Sequence, residues 1–584
     1  MMNQNSWISR IALVAVVAVG ASACSDDDGN GPVGPSVPTA PSVSAVAADD
    51  GFEITASWAA VADANDYVAT ITPGGAEQTL SGTSVTFDEL LPATDYSVAV
   101  VARNPAGSSG EGTATATTAE LEPVFFNQAS FNNVITDPGF DASVFQFGTR
   151  MAPPDFTLAA MPGGYSAATI RADGIIQPVN GPALQQTDYA GAVEPGTAPG
   201  AAWYAGWTVW AEDGSDSRQN LGLPIVDIEE VNADRTLFAD TVYRLTALVF
   251  VGDDCGPNGT LPGCNPVELT IEPGTTIIGA TEANSKPGTR TPTLVVSRGS
   301  RIVADATPAA PLDAPVRPDP EDVIVFTSEV VYNGGIGERG QWGGLVINGD
   351  APNNASDNAE GEGFSGQYGG SNDNNDAGVY RGIRVEFAGD QFNESDELNG
   401  ISMQSAGAGT TMSYVQVHYN ADDGVEPYGG SASIDHLVLT GIGDDSVDGT
   451  RGYKGYMQFV IIQQNGDDAD QGLEISNNGS DPGASPRGSA VVANVTAIGG
   501  SSDFLPAGAA IGGDESDRLI EYREGSFYQV YNSIFQGFGD GFCIADGQTI
   551  ANAIARVGGS STPDQTMSGE GLILWSNGDD NLGC

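Results

Sequence analysis

Three runs in the second half of the chain alternate apolar and polar residues and then end in adjacent acids. Val415 and Val417 precede Asp422 and Asp423, Leu437 and Leu439 precede Asp444 and Asp445, and Phe459 and Ile461 precede Asp467 and Asp468. Alternation of period two marks a strand that buries one face. The acidic pair returns after 22 residues from Asp422 to Asp444 and after 23 from Asp444 to Asp467. A near-constant step of that size predicts a solenoid in which each coil stacks its apolar positions on the next. Less regular members of the series surround it, among them "ELTIEPGTTIIGA", "TLVVSRGSRIVADA", "WGGLVINGDAP", "AVVANVTAIGG" and "YQVYNSIFQGF". Few helical stretches separate these strands, so residues 236–584 are expected to form a right-handed parallel β-helix. Excursions leave the coils near residues 304–322, 350–378 and 476–488. A leucine-rich horseshoe is disfavoured because its asparagine-bearing consensus is missing.

Upstream, residues 41–118 read as short alternating strands joined by turns, as in "FEITASWAAV", "DYVATITP" and "TSVTFDEL". Residues 119–235 are expected to be a β-rich segment that ends in the cap of the solenoid. Trp203, Trp207 and Trp210 stand within eight residues there. Rings at that density either fill a core or offer stacking platforms to sugars. The chain is thus expected to be all-β, in at least two folded units, since 584 residues exceed one ordinary domain.

Charge narrows the function classes. With 76 acidic against 21 basic residues the formal net charge is -55, which forbids a broad phosphate-binding surface and excludes nucleic acid as a partner. The same acidity also fits a solvated surface suited to a salty medium. His418 and His436 are the only histidines, so a zinc site built on imidazole has almost no material. Both stand in strand-like segments and are expected to be hydrogen-bonded surface residues.

The first residues, with Arg10 before an apolar run from Ile11 to Val19, form a secretory signal too short to span a membrane as a mature helix. Its end, Ala21-Ser22-Ala23-Cys24, resembles the lipobox of bacterial lipoproteins. That resemblance implies a signal peptide over residues 1–23, lipidation of Cys24 and an outer-membrane lipid anchor. Ser25 and the triplet Asp26-Asp27-Asp28 resemble the pattern of lipoproteins exported to the extracellular side of the outer membrane. Residues 24–40 are then an acidic tether rich in glycine and proline. Cys255 and Cys264 bracket a loop in which they could meet, and Cys543 and Cys584 could pin the C-terminal tail. An oxidising compartment follows.

Two further resemblances sharpen the fold. Trp58, Tyr67 and the run Leu91-Pro92-x-Thr94-x-Tyr96 with Val98 and Val100 make residues 41–118 similar to a fibronectin type III domain. The likeness implies a β-sandwich acting as a spacer. No Arg-Gly-Asp occurs within it. "LTIEPGTTIIGA", "QWGGLVINGDAPNN", "YGGSNDNNDAG" and "DDGVEPYGG" resemble a poorly characterised family of secreted β-helix proteins of Gram-negative bacteria. That likeness implies the fold and secretion, and no activity.

Stacked coils would bring equivalent aspartates about 4.8 Å apart, and each neighbouring pair repels by roughly 1 kcal/mol in water and by several when half-buried. Either the carboxylates face solvent and cap turns, or a cation offsets them. Oxygen-only ligands on a rigid ladder suit Ca²⁺. The candidate ligands are Asp422, Asp423 and Glu426 on one coil, Asp444, Asp445 and Asp448 on the next, and Asp467, Asp468 and Asp470 on the third. The expected function is a surface-displayed, calcium-stabilised β-helix that binds an extracellular polysaccharide or surface protein. Its alternatives are a polysaccharide lyase or glycoside hydrolase of the β-helix type and a structural coat protein. The Gly-His-Gly element of the hydrolases is missing, and fold alone does not license activity.

Overall fold

The computed structural model describes residues 35–118, 156–500 and 516–544 apart from short breaks, with further strands at 131–132, 135–136, 568–570 and 573–575. Cys24, the signal and most of the tether lie outside these residues. The chain divides into two compact units, one centred on residues 55–86 and 95–116, the other on Thr117 onward. Among the described residues no helix is long and apolar enough to cross a membrane.

The first unit is an antiparallel sandwich. One sheet joins Val43–Ala47, Ile54–Trp58 and Ser84–Phe87, and the other joins Glu77–Leu80, Asp66–Thr72, Asp95–Asn104, Gly107–Ser108 and Gly112–Thr117. Alternation does the building: Tyr67, Ala69 and Ile71 face inward opposite Val98, Val100 and Ala102, while the residues between them face out. Trp58 packs on Tyr67 with ring centroids 5.3 Å apart, and the Val61 N–H donates to Tyr67 Oη at 2.9 Å. The buried ring thereby keeps a partner for its polar tip.

The second unit is a parallel β-helix with three strand rows per coil. Its core is columns of identical position. Met412, Ile434, Met457 and Val492 form one column, Val415, Leu437, Val460 and Val495 a second, and Val425, Val447, Leu473 and Ile520 a third. All are buried. The first two rows belong to the same strands, Thr411–His418, Ser433–Thr440, Tyr456–Gln463 and Val491–Ile498. A single left-handed residue turns each strand from one row to the next: Tyr414 (φ 52°), His436 (φ 62°), Phe459 (φ 57°) and Asn494 (φ 54°). Non-glycine residues adopt that conformation at a cost of roughly 1–2 kcal/mol each. Stacking offsets it, since Tyr414 lies 4.5 Å from His436 at 7° between planes and His436 lies 4.8 Å from Phe459.

Two expectations are corrected here. The strands bury both faces, not one, because Tyr414, Val438, Ile461, Ile498 and Ile534 point outward and are covered. The cover is residues 156–224, within the segment 119–235 expected to be β-rich; among its described residues this stretch contains no strand and a single 3₁₀ turn at Pro199–Ala201. It runs as a strap along the outside of the coils. It doubles back once: Ala168 bonds to Asn532, Val179 to Ala408, Gln185 to Gln458 and Gly191 to Asn532 again, after which Val209 meets Gln416, Arg218 meets Gly274 and Asn220 meets Tyr332. Side-chain amides replace the missing ladder: Gln416 accepts from Val209 N–H at 2.9 Å and donates to its carbonyl at 2.7 Å, and Gln458 does the same for Gln185 at 2.8 and 2.9 Å. The strap's backbone thus keeps the partners that burial demands. Farther upstream, Phe131–Asn132 and Ile135–Thr136 pair in parallel with Ser568–Glu570 and Ile573–Trp575, and so add to the last coil.

The strap also settles the aromatic residues. Trp207 is fully buried, Trp210 is 9% exposed, and Trp203 is half-buried. Trp203 lies edge-on to His436 at 4.8 Å, Trp207 to Tyr414 at 6.2 Å, and Trp210 packs on Phe156 at 5.6 Å. Trp207 and Trp210 are core and offer no platform to a sugar. The histidines are buried too, against expectation. His418 sits between Thr440 Oγ1 at 2.7 Å and the Ala211 carbonyl at 3.2 Å, and His436 is bonded to Asp435. Cys255 and Cys264 form a disulfide. Cys543 is disulfide-bonded as well, while Cys584 lies outside the described residues.

Candidate acidic cation site

The third row of strands builds the site. In Val425–Tyr428 the odd positions enter the core, so Glu426 and Tyr428 must point out. The next strands repeat the rule, and register aligns Asp448 with Glu474 and Glu474 with Glu521. Val425 lies opposite Val447, which sets Glu426 beside Asp448. Just before these strands, the turns carry Asp422 and Asp423, then Asp444 and Asp445, then Asp470. Glu362, from the excursion after Asn348, and Glu397, from the hairpin Gln391–Asn393 with Asp396–Glu397, complete the walls. The result is a cleft of about 390 Å³ lined by ten carboxylates and one guanidinium, that of Arg523.

Each aspartate of the middle column ties its coil to the next. The Asp445 N–H donates to Asp423 Oδ1 at 3.1 Å, and the Gln471 N–H donates to Asp445 Oδ1 at 2.6 Å. Asn399 Nδ2 donates to Glu426 Oε2 at 2.6 Å, and Tyr428 Oη donates to Glu362 Oε2 at 2.5 Å while also touching Glu426. Arg523 pairs with Glu474. These bonds do not satisfy everything. Asn399 Oδ1 and Asp448 Oδ1 are shut off from solvent and accept from no donor among the described residues.

Burial and crowding hold protons on the cluster. Burial, reinforced by Glu397 and Asp444, pushes Asp422 up to about 8. Burial also raises Asp448 to about 7, with Arg523 pulling the other way, raises Glu474 to about 9 with Asp448 adding, and raises Asp470 to about 6 with Asp444 adding. Asp423, Glu426 and Asp445 are driven well above the carboxylate range, first by burial and then by neighbouring carboxylates. Asp444 is raised by burial and by Glu397.

Three overlapping triads bring carboxylate oxygens within 4.8 Å of one another: Glu397, Asp422 and Asp444; Asp423, Glu426 and Asp448; and Asp423, Asp444 and Asp445. The first two share no residue. Neighbouring side chains of one Asp-Asp pair therefore serve different triads, Asp422 the outer and Asp423 the inner. In the next turn Asp444 serves the outer triad, while Asp445 joins only the third.

The sequence placed most of these residues and misplaced two. Asp467 and Asp468 are not in the cleft; they bind Arg339 at 2.9 and 3.1 Å. The link between Gln463 and Leu473 has nine residues where that between Thr440 and Val447 has six, so Asp470 takes the position expected of Asp467. Glu362, Glu397, Asn399, Glu474 and Arg523 were not anticipated. Glu474 had a signal, the recurrence of an acid between apolar residues in Leu473-Glu474-Ile475 and Ile520-Glu521-Tyr522. The others come from excursions or a distant coil.

Fold and site define an all-β protein in which a parallel β-helix carries an acidic, oxygen-rich cleft. Residues 229–562, more than half of the chain, match a family described as the pectate-lyase-like beta helix domain, and the chain belongs to that family. No curated protein matches it. Solved structures similar to the N-terminal region include an FN3tt variant (21% identity, 15% of this chain and 100% of that one, TM-score 0.14). Others are the fn3 domain of the human collagen alpha-1(XX) chain (27%, 16% and 95%, 0.13) and an Fn3-like protein from Clostridium thermocellum (23%, 15% and 99%, 0.13).

Proposed function

We propose that the acidic cleft binds Ca²⁺, one ion in each of the two separate triads, and that the loaded face holds an extracellular polysaccharide. The carrying observation is the pair of triads with oxygens within 4.8 Å and no residue in common. Six carboxylates offer up to twelve oxygens to two ions that each take six to eight ligands in all. The unpartnered Asn399 Oδ1 supplies an acceptor that a cation or an added donor would satisfy. Bound ions remove the like-charge repulsion and turn a surface that rejects acidic sugars into one that coordinates them. The family to which the coils belong supports carbohydrate as the ligand class. The protein is tethered to the outer membrane through Cys24 and faces outward.

Titration calorimetry of the full chain tests the cation. The expected result is saturable Ca²⁺ uptake at two sites, reduced to one in Glu426→Gln. Heat of dilution alone at millimolar Ca²⁺ would end the proposal. Cleavage is the second reading, favoured by several carboxyls whose protons are held toward neutral pH in one cleft, among them Asp448 and Asp470, because carboxyls of raised proton affinity serve as general acids on glycosidic bonds. New reducing ends or unsaturated products from an acidic polysaccharide would establish it, and their absence would leave binding alone.

A further inference from the structure

The same strand row changes character toward its N-terminal end. There the outward positions of Leu248–Val251, Thr293–Val296 and Gly344–Asn348 are Leu248, Phe250, Val295 and Val346, in place of the carboxylates farther along. Val295 and Val346 are buried together with Leu398, and Leu248 and Phe250 lie half-buried against them. Over these two side chains opens a second cavity, of about 490 Å³, well within the ~300–1,000 Å³ of ordinary small-molecule sites.

Its polar groups are arranged for a ligand that donates. Asn348, 2% exposed, lines the cavity; its Nδ2 donates to the Ser365 carbonyl at 2.7 Å, and its Oδ1 accepts from nothing among the described residues. A buried amide oxygen left in that state is destabilising, and a donor brought by a ligand would satisfy it. At the rim, Glu229 is paired with Lys286 at 2.6 Å and Asp254 with Arg298 at 2.7 Å. Glu230 and Asp253 are exposed, line the same opening and have no ion pair among the described residues. Among the described residues that line the cavity none is a cation able to receive a carboxylate or a sulfate. Gly366 keeps the ring accessible: at its φ of +96°, a Cβ would stand 3.4 Å from both Phe250 Cε1 and Asn348 Nδ2.

We infer that this cavity is a subsite for an uncharged pyranose, seated with its C–H face on Phe250 and donating hydroxyls to Asn348 Oδ1 and to the carboxylates of Glu230 and Asp253. An apolar face ringed by hydroxyl donors is the complement of an apolar floor ringed by acceptors. Acidic sugars are repelled by Glu230 and Asp253. The subsite does not depend on cations in the acidic cleft.

The test titrates the full chain with hexasaccharides of glucose, xylose and mannose, and with chitosan and galacturonan oligomers, in Ca²⁺ and in EDTA. At least one neutral oligosaccharide is expected to bind equally in both media. Phe250→Ala should weaken it about tenfold, in line with the loss of one aromatic platform. Because Phe250 also packs against the strand face, the double change Glu230→Ala with Asp253→Ala, at exposed positions, provides a variant that leaves packing intact and should weaken binding to a similar degree. Asp467→Asn, held by Arg339 outside both clefts, should leave it unchanged. Absence of neutral-sugar binding at about 10 mM overturns the inference. So does affinity undiminished in both cavity variants, or binding confined to the chitosan or galacturonan oligomers.

Discussion

Cation binding at the triads must expel protons, and the number is calculable from the cluster. At pH 7 a carboxyl with a pKa of about 8, Asp422, is roughly nine-tenths protonated, and one at about 7, Asp448, is half protonated. Asp423 and Glu426 are raised as well, first by burial and then by neighbouring carboxylates. Asp422 and Asp448 alone therefore release roughly one to two protons when both triads fill. The sign of the pH dependence follows from the raised values. A folded-state pKa above the unfolded one stabilises the fold below the unfolded pKa, near 4, and that contribution is lost as pH rises through the folded values of about 6 to 9. In EDTA the melting temperature of the β-helix should thus fall steadily between pH 5 and pH 9. Without protons or ions, two carboxylates about 4.8 Å apart repel by roughly 3–4 kcal/mol at an effective dielectric near 20. Calcium at 100 times its dissociation constant adds about 2.7 kcal/mol per site, which for about 400 ordered residues corresponds to roughly 3 °C. Calorimetry in two buffers of different ionisation enthalpy counts the protons, and scanning calorimetry with and without EDTA follows the melting temperature. A heat of binding independent of buffer, or melting curves alike in EDTA, Mg²⁺ and Ca²⁺ across this pH range, would refute the reasoning.

Other outcomes follow from particular side chains. Asp423→Asn, in the inner triad, should abolish the inner ion, whereas Asp467→Asn, held by Arg339 outside the cleft, should leave Ca²⁺ titrations unchanged; equal loss in both would show that the ladder acts as a diffuse charge. Trp207→Ala should destabilise the β-helix by about 3–5 kcal/mol, read in denaturant melts, with Ca²⁺ affinity retained when measured below the transition; unaltered stability would contradict its burial under the strap. Cys24→Ser should move the protein from the membrane fraction to the soluble fraction, and continued membrane association would remove the anchor.

How much of this was legible depended on whether a feature repeats. Columns such as Val415, Leu437 and Val460 share one spacing, so period and alternation exposed the coils. The acidic turns were found for the same reason, and Asp467 was misplaced when three extra residues in one link shifted strand register without disturbing the visible Asp-Asp phrase. Burial of both strand faces had a signal in Leu437-Val438-Leu439 and Val460-Ile461-Ile462, runs too continuously apolar for a half-exposed sheet. The strap had none, because its backbone is satisfied by Gln416 and Gln458 more than 200 residues away. Nor does any local pattern bring Glu362 or Glu397 to the cleft, since each lies on an excursion outside the repeat.

The strap changes how such a molecule comes apart. Arrays of coils touching only their neighbours fray from an end, one repeat at a time. Here the strap's hydrogen bonds join residues separated by 207 positions at Val209 and Gln416 and by 364 at Ala168 and Asn532, and strands 131–132 and 135–136 add to the final coil. Fraying of the last turn therefore tears at the segment clasped across the middle and the first. Melting should occur as one event, and folding must wait until the C-terminal coils have been synthesised, the slow regime expected of contacts between distant positions. A chain crossing a membrane from its N-terminus would stay open for nearly its whole passage and lock only when its tail arrives.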